Sequence, residues 1–185
     1  MRTLLVDNGS TLTTKLARLA PGAEEICSYQ AIPTDVTPFQ LIILSGSSIL
    51  PVLGNEDHFA AELELIRTTD IPLVGICLGH ELIAVALGGT LKPHTPEKGI
   101  TEITVVRDHP IFQGEQKFRV YENHQYRVHS PGPELEILAT TTQGIAIVSH
   151  KTRPLYGFQF HPEHCTEETR GDELFIRLFT LLTTP

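Results

Sequence analysis

Over the first two-thirds of the chain, short aliphatic and β-branched runs alternate with helical spacings, the signature of βαβ units and a largely parallel sheet. Thr3 to Val6 predicts an opening strand, and the Asp7-Asn8-Gly9-Ser10 turn leads into a helix near residues 11 to 19. A short strand from Glu25 to Tyr29 and a Pro-containing loop follow. Leu41-Ile42-Ile43-Leu44 reads as a buried strand that Ser45-Gly46-Ser47-Ser48 ends. Phe59, Leu63 and Ile66 recur at i, i+4 and i+7, the spacing of a one-faced helix near residues 56 to 67, closed by Asp70-Ile71-Pro72. Leu73-Val74-Gly75-Ile76 is the next buried run, and Leu82, Ile83, Ala86 and Leu87 carry a helical period to the Gly88-Gly89 stop.

After residue 100 the pattern changes to strands without long helices: Glu102 to Val106, Lys117 to Tyr121, Leu135 to Thr140, Ile145 to Ser149 and Leu155 to Phe160. These are expected to be antiparallel or mixed. Leu174, Phe175, Leu178, Phe179 and Leu182 share one face of a final helix that docks on the sheet. The 185 residues suit a single α/β domain, 1–185, with helices on both faces of one core.

With 41% hydrophobic and 19% charged residues, the composition is that of a folded globular chain. No run approaches the roughly 18 apolar residues needed to span a bilayer, and the apolar start at Leu4 ends at Asp7, too soon for a signal peptide. A cytoplasmic protein without membrane contact is expected. The net charge of -8 and the absence of a basic stripe argue against nucleic acid as a partner. Cys27, Cys77 and Cys165 are scattered and odd in number, so neither a disulfide framework nor a zinc spacing is suggested.

Gly75-Ile76-Cys77-Leu78-Gly79 places a cysteine between two glycines where a buried strand meets a helix, the pattern of a nucleophile elbow. Such a turn exposes the thiol at its apex and aims a helix N-terminus at it, which favours the thiolate and the oxyanion formed after attack. The N–H of Leu78 is the natural oxyanion donor. By this pattern alone, a buried structural cysteine fits equally well. Gln159-Phe160-His161-Pro162-Glu163 supplies the missing parts: an imidazole to move the proton and, two residues on, a carboxylate to orient it. As metal ligands, His161 and His164 lack a second cluster, and His80-Glu81 is not the start of a HExxH helix because position 84 is Ala. No metal or cofactor is expected.

These motifs resemble the class I glutamine amidotransferases, whose nucleophile motif is Gly-x-Cys-x-Gly and whose second motif is His-Pro-Glu. The likeness runs from Asp7-Asn8-Gly9 through Ile43-Leu44-Ser45-Gly46 to the His161 segment. Glu97 to Ile103, Asp108 to Phe112 and His150 to Gly157 look most like the free-standing glutaminase subunit of GMP synthase. The resemblance implies a flavodoxin-like three-layer sandwich with a mostly parallel central sheet and extra antiparallel strands in the C-terminal half. It implies Cys77 as nucleophile, His161 as general base and acid, Glu163 as orienter, and a γ-glutamyl thioester intermediate. Leu78 and the Gly46-Ser47 turn become the oxyanion hole. L-glutamine is the implied substrate, and ammonia goes to a synthase subunit: first a GMP synthase ATP-pyrophosphatase, second an anthranilate synthase-type partner.

The chain departs from the family in three places. Ser45-Gly46-Ser47-Ser48 stands where the family has Ser-Gly-Gly-Pro, so a side chain at Ser47 opposes a glycine-like conformation, and losing one oxyanion donor costs about 3 kcal/mol. Glu81 replaces a substrate-holding glutamine; it can accept from an α-ammonium but cannot donate, or it is a solvated helix residue without a role. Glu122-Asn123-His124-Gln125-Tyr126 replaces a Ser-His-Gly-Asp-like segment, leaving Asn123, His124 and Gln125 as candidate substrate contacts. These departures keep open a γ-glutamyl hydrolase or peptidase with another γ-linked substrate, and a regulatory amidotransferase-like subunit with weak catalysis.

Overall fold

The computed structural model describes residues 1–183. Its chain order is β1 (Thr3–Asp7), α1 (Thr13–Leu19), β2 (Glu25–Ser28), β3 (Leu41–Leu44), α2 (Ala60–Thr68), β4 (Leu73–Ile76) and α3 (Leu78–Ala86). Then come β5 (Thr90–Val105), β6 (Lys117–Ser130), β7 (Leu135–Thr140), β8 (Ile145–His150), β9 (Leu155–Phe158) and α4 (Gly171–Thr183). The start of the helix expected near residues 56 to 67 is a 3-10 turn, Glu56–Phe59, before α2.

The strands form one sheet in the order β2-β1-β3-β4-β9-β8-β7-β5-β6. It is mixed: β2, β1, β3, β4 and β9 are joined by parallel pairings, and the pairings from β9 outward to β6 are antiparallel. Two expectations need correction. The strands expected at Glu102 to Val106 and Lys117 to Tyr121 are the ends of a much longer hairpin, β5 with β6, whose polar, irregular halves carry no alternating pattern. And the strand expected from Leu155 to Phe160 ends at Phe158, as β9; parallel to β4 and antiparallel to β8, it has the mixed pairing expected of this region.

Alternation along the parallel strands divides the core in two. Leu5, Ile43, Val74 and Ile76 face α1 and α4, while Leu4, Val6, Ile42, Leu44 and Leu73 face α2 and α3. Phe158, Phe160, Phe175 and Phe179 interlock under α4, with ring centroids 4.3 to 6.2 Å apart. Arg153 caps the end of α2, donating through Nη1 to the Ile66 and Arg67 carbonyls at 3.0 Å each. Among the described residues no helix is long and apolar enough to cross a membrane.

One polar group is buried at a cost. Glu62 on α2 is 0% exposed, and neither carboxylate oxygen has a well-formed hydrogen bond. Burial pushes its carboxyl up to about 8, with Asn8 nearby acting weakly in the other direction. The folded state therefore holds this proton to about pH 8, whereas the unfolded chain releases it near its usual 4.5. Stability falls as pH rises through that window. Replacing Glu62 by Gln should raise unfolding stability by about 1–3 kcal/mol at pH 8 and by little at pH 4.5, read from urea denaturation at the two values. Equal effects at both would show that Glu62 is ionised in the folded chain.

Candidate active site

Three neighbouring parallel strands end side by side, and each delivers one part of the site at its carboxyl end, where open α/β sheets bind ligands. β3 leads into Ser45-Gly46-Ser47, β4 into Cys77, and β9 through Gln159-Phe160 into His161. The pairings of Leu44 with Gly75 and of Ile76 with Phe158 set these offsets. Residues far apart in sequence thereby become neighbours.

Cys77 has φ 52° and ψ -101°, a conformation that costs a non-glycine residue about 1–3 kcal/mol. Tight packing holds it there. A Cβ on Gly75 would stand 2.3 Å from the Gly79 carbonyl, and one on Gly79 would stand 2.5 Å from the Leu44 oxygen. Neither glycine has a positive φ, so both are required for space. Cys77 N–H donates to the Phe158 carbonyl at 2.7 Å, and Glu81 N–H to the Cys77 carbonyl at 3.1 Å. Leu78 is the first residue of α3, so its N–H has no intrahelical acceptor.

His161 Nδ1 bonds Glu163 Oε1 at 2.8 Å, and both side chains are buried. The carboxylate fixes the proton on Nδ1 and leaves Nε2, which has no well-formed hydrogen bond, for the Cys77 sulfur beside it. Burial opposes a charged imidazole, but the Cys77 sulfur and the Glu163 carboxylate outweigh it and hold His161 well above its ordinary range. A Cβ on Gly46 would lie 3.2 Å from His161 Cε1 and 3.4 Å from Cys77 Cβ, so the Gly46-Ser47 turn presses against the pair. Ser47 has no positive φ, so its side chain is seated without a glycine-like backbone. Its Oγ instead accepts from the Ile49 and Leu50 amides at 3.2 Å each.

A cleft of about 410 Å³ opens over Cys77, within the roughly 300–1,000 Å³ common for small-molecule sites. Ser47, Leu78, Glu81, Asn123, His124 and Gln125 all line it, so the sequence-predicted contacts converge. Glu81 is 4% exposed and is no solvated helix residue. Burial raises its carboxyl to about 7, against the lowering effects of His124 and Gln159. His124 Nδ1 lies 2.8 Å from the Tyr126 carbonyl, and the Asn123 carbonyl is 3.9 Å from Cys77 Sγ.

Sequence reasoning missed two supporting residues. Gln159, 2% exposed, points Nε2 at Cys77 Sγ, 3.9 Å away, and also engages Glu81. Asn8 is buried; its backbone N–H donates to Ser45 Oγ at 2.9 Å and its Nδ2 to the Ser45 carbonyl at 3.0 Å, locking the start of the Ser45-Gly46-Ser47 turn. Gln159 stands between two phenylalanines, a polar exception that hinted at a role, whereas Asn8 in its polar turn carried no such signal. Glu97 and Glu122 were also missed: with His124 they form a group whose potential ligand atoms lie within 4.8 Å of one another.

Residues 4–181 match the model of the glutamine amidotransferase class-I family. The chain belongs to this family. Among the similar proteins, a subunit of the glutamine-hydrolysing GMP synthase from Pyrococcus furiosus is 36% identical over 136 residues, 72% of this chain and 71% of that one. The corresponding Methanobrevibacter smithii protein is 35% identical over 169 residues, 83% of this chain and 85% of that one. In three dimensions this amidotransferase superposes on a candidate GMP synthase subunit from Thermoplasma acidophilum with a TM-score of 0.85 at 26% identity, covering 98% of this chain and 94% of the other.

Glu163, bonded to Nδ1 at 2.8 Å, is one of the groups that hold His161 above its ordinary range. Glu163→Gln keeps the shape and removes the charge, so the His161 ring should titrate about one unit or more lower than in the wild type, read from its ring-proton NMR profile. An unchanged profile would contradict this role.

Proposed function

We propose that this amidotransferase hydrolyses the side-chain amide of L-glutamine through Cys77, His161 and Glu163 and passes the ammonia to a synthase subunit. The observation that carries the reading is Cys77, held at a positive-φ elbow in the lining of the cleft, with the buried His161–Glu163 pair beside its sulfur. His161 Nε2 takes the thiol proton, and the sulfur attacks the amide carbon. The resulting oxyanion accepts from the amides of Leu78 and the Gly46-Ser47 turn. His161 returns the proton to the leaving nitrogen, releasing ammonia and leaving a γ-glutamyl thioester. Water, deprotonated by His161, then attacks the thioester; glutamate leaves and the thiol is restored.

In this reading Glu81 accepts from the substrate α-ammonium, and the Asn123-His124-Gln125 segment closes the far side of the cleft. The likeness to these GMP synthase subunits supports a cytoplasmic role in purine biosynthesis, with a separate GMP synthase ATP-pyrophosphatase subunit receiving the ammonia. An anthranilate synthase-type partner is the second choice. We read the architecture as a single flavodoxin-like domain, 1–185: a three-layer sandwich whose parallel central part carries the site and whose antiparallel strands extend it. Glu81, buried where the family carries glutamine, favours one alternative, a γ-glutamyl hydrolase or peptidase acting on another γ-linked substrate. The regulatory reading needs a misaligned triad, and the His161–Glu163 bond facing Cys77 gives it no support.

Ammonia release from glutamine, with and without an added synthase subunit, tests this function. Cys77→Ala and His161→Ala should each lower kcat by about a thousandfold or more while circular dichroism stays that of the wild type. Wild-type turnover in either variant would refute the mechanism, and faster cleavage of γ-glutamyl conjugates than of glutamine would transfer the assignment to the hydrolase.

A further inference from the structure

The β5–β6 hairpin carries a group of side chains, two of which, Glu97 and Glu122, have no part in the proposed amidotransferase reaction. Glu122 and His124 are two apart on β6 and so project from the same face, and Glu97 on β5 is the cross-strand partner of His124. A register shift between Pro93 and Glu97 brings Glu97 into this alignment, and the residue opposite Glu122 is Gly99, which places no side chain in the space between the strands. The three residues come from two strands, which is why no spacing in the sequence pointed to them.

Their polar atoms are turned towards one another. Glu97 Oε2, Glu122 Oε2 and His124 Nε2 are all buried without a well-formed hydrogen bond, and the last two form a long ion pair with each other. The side chains of His124 and Glu122 are 5% and 2% exposed, so water does not readily satisfy them. His124 Nδ1 faces the Tyr126 carbonyl at 2.8 Å, which places a proton on that nitrogen and turns Nε2 towards the carboxylates. Nε2 faces Glu122 Oε2 at 3.4 Å, and an ion bound there takes the place of the Nε2 proton. The separation is long for an N–H···O bond, normally about 2.7–3.2 Å. It is close to the separation of about 3.4 Å between two ligands that each stand about 2.0–2.1 Å from a tetrahedral ion. Two carboxylates and a neutral imidazole also balance the charge of one divalent cation, which offsets the cost of burying them.

We propose that Glu97, Glu122 and His124 bind a divalent transition-metal ion of the zinc type, with the open coordination position left for water. The mixed nitrogen and oxygen set suits Zn²⁺ and excludes the all-oxygen preference of Mg²⁺ and Ca²⁺. The ion ties the irregular part of β5 to β6. Because His124 also lines the cleft over Cys77, the ion stands in the wall of the active site.

Chelator-treated full-length protein titrated with Zn²⁺ by calorimetry tests the proposal, with Cys77→Ala as a second protein because the thiol and His161 could themselves hold zinc. The expected result is one equivalent bound with micromolar or tighter affinity in both. Glu122→Gln and Glu97→Gln, which keep side-chain shape, should each weaken binding by about tenfold or more with circular dichroism unchanged. Co²⁺ bound in place of Zn²⁺ should show d–d absorption without a thiolate charge-transfer band. Absence of stoichiometric binding would mean that a proton on Nε2 already joins His124 to Glu122, and would overturn the site. Binding that is lost in Cys77→Ala, or that survives both glutamate substitutions, would overturn it too.

Discussion

The close seating of α3 on the sheet is the constraint on which the rest depends. Gly75 and Gly79 let strand and helix backbones meet at separations that no side chain permits, and Gly157 on the next strand would put a Cβ 2.6 Å from the His80 ring. Once α3 is pressed this close, the chain has no ordinary route from β4 into the helix. Cys77 must take the positive φ, and its side chain is presented at the sheet edge beside β9. The strain of about 1–3 kcal/mol is offset by the burial of Leu78, Leu82 and Ile83, each worth about 1.5–3 kcal/mol against solvent. Packing thus sets the place of Cys77, and the bond from its N–H to the Phe158 carbonyl holds it there.

Around that elbow the protein buries an unusual set of ionisable groups, and each is resolved differently. Glu163 is compensated by the 2.8 Å bond to His161 Nδ1, so neither partner is left alone in a dry setting. Glu62 has no such partner and keeps its proton instead. His80, fully buried between α3 and β9, is pushed down to about 3 by desolvation and is neutral at any physiological pH. Glu81 lies between these cases, near neutrality, with His124 and Gln159 favouring its anion and burial opposing it. The same physics therefore produces a hydrogen-bonded pair beside Cys77, neutral residues for packing, and one carboxyl at the cleft whose state a bound ligand can shift.

Much of this was legible in the sequence. The parallel strands read clearly because β3 and β4 are apolar on both faces, and the elbow read clearly because the space it needs can be met only by glycine at 75 and 79. His161 and Glu163 were visible as a motif, and the cleft residues Asn123 to Gln125 as a departure from one. The β5–β6 hairpin was only half visible: its exposed, polar stretch has neither alternation nor a turn signal, and pairing alone makes it a strand. For the same reason Glu97 and Glu122 were hidden, since cross-strand register is not written in spacing. Gln159 and Asn8 were hidden because their roles depend on what surrounds them, not on the residues beside them in the chain. The turn seats Ser47 without a left-handed backbone, and its Oγ accepts from the Ile49 and Leu50 amides, contacts that spacing alone does not reveal.

An activated thiol in a pocket shaped for glutamine is the central claim, and intact mass after treatment with a diazo-ketone analogue of glutamine tests it most directly, with no partner chain required. A single adduct that maps to Cys77, is suppressed by excess glutamine and is absent in Cys77→Ala is the predicted result. No adduct, or one on Cys27 or Cys165 that glutamine does not suppress, would contradict it.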